Sequence, residues 1–199
     1  MPRNSLSADF FRQSLVGLKV LIVMTVLLGV AYPTAVWGVG QVAFHGRANG
    51  QIVSASGKDI GSKIIGQNFT VEDDQWFHSR PSAAGDGYDG LASAASNLGP
   101  SNPVLLKLIK QRQKAISTVE GVPVSAIPAD AVTASASGLD PYISPDYAAL
   151  QVKRVAEKRG LSESVVRKLV ADNTYGRQLG FLGEPKVNVL ELNLALDRE

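Results

Sequence analysis

The feature that most constrains this chain is one unbroken apolar run, Leu15–Val39, close to the amino terminus. Lys19 is its only charge. About 20 mostly apolar residues suffice for a helix to cross the hydrocarbon of a bilayer, and core helices of soluble proteins do not stay apolar on every face for so long. Lys19 sits about one turn inside, where its stem can snorkel to the interface, while Tyr32 and Trp37 suit the opposite interface. Pro33 is placed to end or kink the helix near its exit. Arg3 and Arg12 resemble the basic region of a signal peptide, but the run exceeds the 7–15 apolar residues of such peptides. No small-x-small cleavage site follows it. The run reads as an uncleaved anchor.

Charge gives the orientation. Residues 1–40 hold Arg3, Arg12 and Lys19 against Asp9, which leaves 17 basic and 17 acidic residues in the remainder. A neutral domain lacks the basic face that nucleic-acid binding requires. Basic residues beside the span favour a cytoplasmic amino terminus, and a long following domain translocates largely regardless of charge. The expected division is a cytoplasmic tail over 1–13, a transmembrane helix over 14–40 and one extracytoplasmic α+β domain over 41–199. Zero cysteines exclude disulfide frameworks, zinc-thiolate and iron–sulfur sites and thiol catalysis.

Within the span, Thr25 and Gly29 have the small-xxx-small spacing that lets a partner helix approach. Beyond it, 51–53 and 63–70 read as short strands around a turn at Ser56–Asp59. Residues 72–99 form a long Gly/Ser/Ala/Asp-rich loop, a length usually reserved for function or mobility. Three helices carry start signals: Asn102-Pro103, Ser144-Pro145-Asp146, and Ser162 with Leu161 and Val166 as a hydrophobic staple. Gly160 can stop the second. Leucines at 190, 192, 194 and 196 alternate with smaller or polar residues, which predicts a half-buried strand over 187–196.

No chemistry stands out from the residues themselves. His45 and His78 lack ligand-spaced companions, and Asp86 and Asp89 lack the series and closing glutamate of a calcium loop. Ser137, with His78 as its base, could form a nucleophile pair, but no G-x-S-x-G elbow surrounds it. The bottom-up reading is an anchored extracytoplasmic domain with a partner.

A set of ungapped segments carries the reading further: Tyr32-Pro33, Ala48-Asn49-Gly50, Gly61–Gln67, Phe77–Ala83, Ser96–Asn102, Thr133–Pro141, Ile143–Pro145, Gln151 with Arg154–Ala156, and Gly183–Pro185 followed by Val187–Leu190. In this order they resemble the C subunit of the bacterial Kdp-type potassium-transporting ATPase, from the span to the last predicted strand. Gln51, Ala136 and Tyr142 depart from the residues usual in that family. The resemblance implies a non-catalytic subunit of a four-subunit inner-membrane import complex. Its companions would be a P-type ATPase subunit, a channel-like potassium-binding subunit and a small single-helix subunit. ATP would be the fuel of the complex and potassium its cargo, with no cofactor or metal of this chain's own.

The resemblance further implies a role in assembly and as a catalytic chaperone that raises the ATPase subunit's affinity for ATP, with a nucleotide contact at Gln151. Topology opposes a direct contact, since Gln151 would lie in the periplasm, across roughly 30 Å of hydrocarbon from cellular ATP. An indirect effect is the expectation. The partner surface is expected on loops 77–83, 96–102 and 135–141, through Arg80, Pro81, Asn97, Ser101, Asn102, Ser137 and Asp140. Asp59, Glu72, Asp73, Asp74, Asp86 and Asp89 could gather cations near a pore mouth, or be a solvated acidic face. The competing class is a free-standing anchored hydrolase or binding protein using Ser137 and His78, which would be active alone.

Overall fold

The computed structural model describes residues 4–55, 57–70 and 73–199, and the chain divides into two compact units, Met1–Gln51 and Ile52–Glu199. The first unit is helical: α1 (Asn4–Val26), a π-helical turn (Leu27–Ala31), α2 (Tyr32–Ala43) and the short α3 (His45–Ala48). The helix from Ala8 to Ala43, 36 residues, is long and apolar enough to cross a membrane. Pro33 does not end it. The helix widens just before it, and the Tyr32 N–H bonds to the Leu27 carbonyl across five residues. Such a bulge re-registers the ladder where the proline ring would collide with the preceding turn. Its apolar side chains are exposed on every face, Leu21 to 63% and Trp37 to 65%, the surface that lipid would cover.

The second unit is α+β. Strands β1 (Ile52–Ala55) and β2 (Lys58–Ser62) form an antiparallel hairpin, Ala55 facing Lys58 across a connection that contains Gly57 at φ +77°. The second strand therefore begins at Lys58, within the expected turn, and 63–70 is irregular. Gly66 shows why: a Cβ there would lie 2.4 Å from the Tyr88 ring and 2.7 Å from the Asp140 carbonyl. The chain passes a constriction at that point, and its N–H is taken by the Leu139 carbonyl.

Helices α4 (Pro103–Glu120), α5 (Pro145–Arg159) and α6 (Glu163–Asp172) start where their caps predict. Asn102, Ser144 and Ser162 accept from the backbone N–H groups of Val104, Tyr147 and Val165. Gly160, at φ +68°, closes α5. A small antiparallel sheet in the order β3-β5-β4 joins β3 (Tyr142–Ile143), β4 (Thr174–Tyr175) and β5 (Lys186–Asn188).

The predicted closing strand is corrected. Only Lys186–Asn188 is strand, and Val189–Leu196 is helix α7. Asn188 caps it by accepting from the Glu191 N–H; Val189, Leu190, Leu192, Asn193 and Leu196 are buried, and 189, 192, 193 and 196 stand at helical spacing. The core lies between α5, α6, α7 and the sheet, with Val152, Val155, Val166, Val187, Leu192 and Leu196 each at most 1% exposed.

Candidate functional site

Helix α5 presents Gln151 and Arg154, three residues apart, on one buried face. They meet the segment 73–78, which runs across the core as a strap with no strand paired to it among the described residues. At Phe77 and His78 two side-chain amides replace that strand. Asn193 of α7 accepts from the Phe77 N–H through Oδ1 (2.9 Å) and donates through Nδ2 to the Phe77 carbonyl (3.0 Å). Gln151 accepts from the His78 N–H through Oε1 (2.7 Å) and donates through Nε2 to the His78 carbonyl (3.3 Å). Gln151 and Phe77 are fully buried, and Asn193 and His78 are nearly so. Each amide satisfies the donor and the acceptor of one peptide residue, as buried backbone requires.

Arg154 is the hub. Its Nε donates to Glu120 Oε1 (2.9 Å), its Nη1 to the Trp76 carbonyl (2.9 Å) and the Asp74 carbonyl, and its Nη2 to Gln151 Oε1 (2.8 Å). Nη2 also stands 3.4 Å from His78 Nδ1. Glu120, at the end of α4, has a side chain only 2% exposed, and its Oε2 has no hydrogen-bond partner. Burial pushes its carboxyl above the usual range against the pull of Arg154. Burial first, and the Arg154 charge second, lower His78 to about 4. The imidazole is therefore neutral at pH 7. Its 4.0 Å approach to Glu120 is no ion pair. Nε2 faces the Asp73 carbonyl at 3.3 Å, so the proton belongs there. A cation–π contact of Arg159 with Trp76 (4.0 Å) and an ion pair between Lys158 and Asp74 extend the clip along the strap.

A second lattice ties two of the expected interface loops together. Arg80 Nη1 meets Asp140 Oδ2 at 2.9 Å, while Nε and Nη2 donate to the Thr133 carbonyl. Ser82 Oγ donates to the Gly138 carbonyl (2.6 Å), and Tyr88 donates its hydroxyl to the Arg80 carbonyl (2.9 Å). Gly138, at φ +68°, has no room for a Cβ, which would lie 2.7 Å from both the Ala84 nitrogen and the Ala94 oxygen. Pro81 lines, with Arg80, Asn68, Arg112 and Tyr147, a cavity of about 380 Å³. Phe77 and His78, expected at the surface, are instead core.

Elsewhere the expected residues are dispersed. Asn97 adopts φ 50°, tolerable for asparagine. Ser101 is exposed beside Asn102, whose side chain is spent capping α4. Ser137 Oγ accepts from the Leu139 N–H and makes no hydrogen bond with His78, so the nucleophile–base pair is not assembled. Thr25 and Gly29 belong to the helical unit and share a face, with 3.9 Å from Thr25 Cγ2 to where a Gly29 Cβ would be. Of the acidic set, Asp59 accepts from Ser54, Asp74 pairs with Lys158 and Asp89 caps Leu91, while Glu72 lies outside the described residues. Among the described residues no group of three histidine, aspartate or glutamate side chains could hold a metal ion.

Sequence reasoning gave no site role to Arg154, Glu120 or Asn193. The available signal was polar residues at core positions, Gln151 and Arg154 one turn apart on a helix otherwise reading Ala148, Val152, Val155.

Residues 14–198 match the protein family described as the K+-transporting ATPase c chain. A relative from Kineococcus radiotolerans, named as a potassium-transporting ATPase KdpC subunit, is 56% identical over 189 residues, 94% of each chain. One of the same name from Koribacter versatilis is 56% identical over 177 residues, 88% of this chain and 89% of its own. Another from Mycobacterium tuberculosis is 52% identical over 188 residues, 94% and 98%.

Proposed function

The chain belongs to the c-chain family of potassium-transporting ATPases, and from that premise we propose that it acts as a non-catalytic subunit of an ATP-driven potassium import complex. The observation that carries this is the reach of the family match, which runs from residue 14, within the apolar helix, to residue 198, within the α+β unit. The chain sits in the bacterial inner membrane with its amino terminus in the cytoplasm and its folded unit in the periplasm. Its partners are a P-type ATPase subunit, a channel-like potassium-binding subunit and a small single-helix subunit. It supports their assembly and raises the ATPase subunit's affinity for ATP from the outer side, as a catalytic chaperone.

We read that effect as indirect. Every polar atom of the Gln151 amide is already bonded, to His78 and Arg154, and the side chain is fully buried. Opening it to a nucleotide would unclip the strap. Coupling through a preferred arrangement of subunits needs no such contact. Gentle-detergent purification of the tagged chain from potassium-limited cells tests the assignment. Co-purifying subunits with potassium-stimulated ATPase activity are expected; a chain that elutes alone, with potassium uptake surviving its deletion, refutes it. A photoreactive ATP analogue that labelled Gln151 in the intact, oriented complex would refute the indirect route.

A further inference from the structure

Between β4 and β5 the chain turns through Arg177–Glu184 and raises three apolar side chains: Leu179 is 82% exposed, Phe181 68% and Leu182 49%. Together they expose on the order of 400 Å² of apolar surface, a size at which a patch on a monomer is commonly functional. The turn is stiffly built. Gln178 and Leu182 exchange both backbone hydrogen bonds at 2.9 Å, Gly180 and Phe181 donate to the Arg177 and Gln178 carbonyls, and Arg177 pairs with Glu184 at 2.6 Å across its base. Leu179 holds a left-handed backbone, φ 53°, and is followed by Gly180 at +82° and Gly183 at +77°. That conformation is strained for a branched-chain residue, and the chain itself gains no burial from it.

We propose that this turn is a preformed apolar knob that docks into an uncharged pocket on a neighbouring subunit of the same assembly. The inference rests on the subunit reading above. Charge selects the occupant: the two ionic groups of the knob neutralise each other, so nothing in it attracts anionic headgroups, whereas surface-binding segments carry basic residues beside the apolar ones. Area excludes a second copy of this chain. A stable interface needs about 800 Å² from each partner, and the knob offers roughly half. A contact of that size holds where further contacts already keep the partners together, as in an assembly of several different subunits. Rigidity fits a pocket too, because a preorganised anchor loses little freedom on docking.

The test replaces Phe181 with the photo-crosslinker p-benzoylphenylalanine in the full chain, irradiates membranes and purifies the complex. An adduct with a subunit that co-purifies in the ATPase-active complex is the expected result. An intact complex whose only adducts are lipid, a second copy of this chain or none overturns the knob and leaves the subunit reading standing. A chain that purifies without any ATPase subunit overturns both. A Leu179→Ser/Phe181→Ser double variant gives a second readout. Recovery of the complex after dilution is expected to fall at least about tenfold, with the chain's own thermal unfolding unchanged because the side chains are exposed. Unchanged recovery overturns the proposal.

Discussion

Replacing Arg154 with methionine tests whether the strap is held by one guanidinium. The substitution keeps much of the side-chain length and removes donors to Glu120, Gln151 and the carbonyls of Asp74 and Trp76. It also strands a Glu120 carboxylate whose side chain is 2% exposed and whose second oxygen is already unpartnered. Removing one member of a buried ion pair costs about 3–5 kcal/mol, most of it the penalty of the remaining charge. For a unit of this size that is a fall in Tm of about 10 °C. Thermal unfolding of the full chain in detergent, followed by Trp76 fluorescence in a Trp37→Phe background, reads the loss. Adding Glu120→Gln removes the stranded charge and is expected to restore about 2 kcal/mol, which a double-mutant cycle isolates. A single-variant loss below about 1 kcal/mol, or a double variant no more stable than the single, would refute the hub.

Three further outcomes follow from the same geometry. His78 is held neutral, its pKa lowered to about 4 by burial and Arg154, so its contribution is complete above the unfolded imidazole's value near 6.5 and is lost as pH falls toward 4. The loss amounts to about 3 kcal/mol; Asp74, lowered by Lys158, acts with the same sign but only below the ordinary carboxylate value of 3.8, so a Tm that stays flat between pH 6.5 and 4.5 would contradict the role of His78. Gly138→Ala should cost about 3 kcal/mol because backbone atoms of Ala84 and Ala94 occupy the site, against about 1 kcal/mol for Gly160→Ala, which has the same φ and open space; equal urea midpoints would show that φ alone matters. Asn188→Ala removes the α7 cap and the bond to the Lys63 carbonyl (2.8 Å) from a fully buried side chain, a loss of about 2 kcal/mol by the same assay.

The parts of the fold that could be read from the sequence are those decided by short-range physics. The long apolar helix follows from unbroken apolarity, and α4, α5 and α6 follow from Asn102, Ser144 and Ser162, because a cap acts within three residues of itself. The 187–196 segment shows where that reasoning fails. Its alternating leucines satisfy a two-residue period, but Asn188 and Glu191 spell a helix start, and helical spacing puts Asn193 inside. An asparagine among leucines looks outward until its partner is known, and that partner, Phe77, is 116 residues away in sequence. The strap has the same difficulty in reverse. Residues 73–78 carry no periodicity because their backbone is satisfied by Gln151, Arg154 and Asn193 rather than by a strand. Local pattern cannot report a pairing made by side chains from two distant helices. What remains legible is the anomaly each one leaves, a polar residue at a core position, and in this chain those anomalies are the clip.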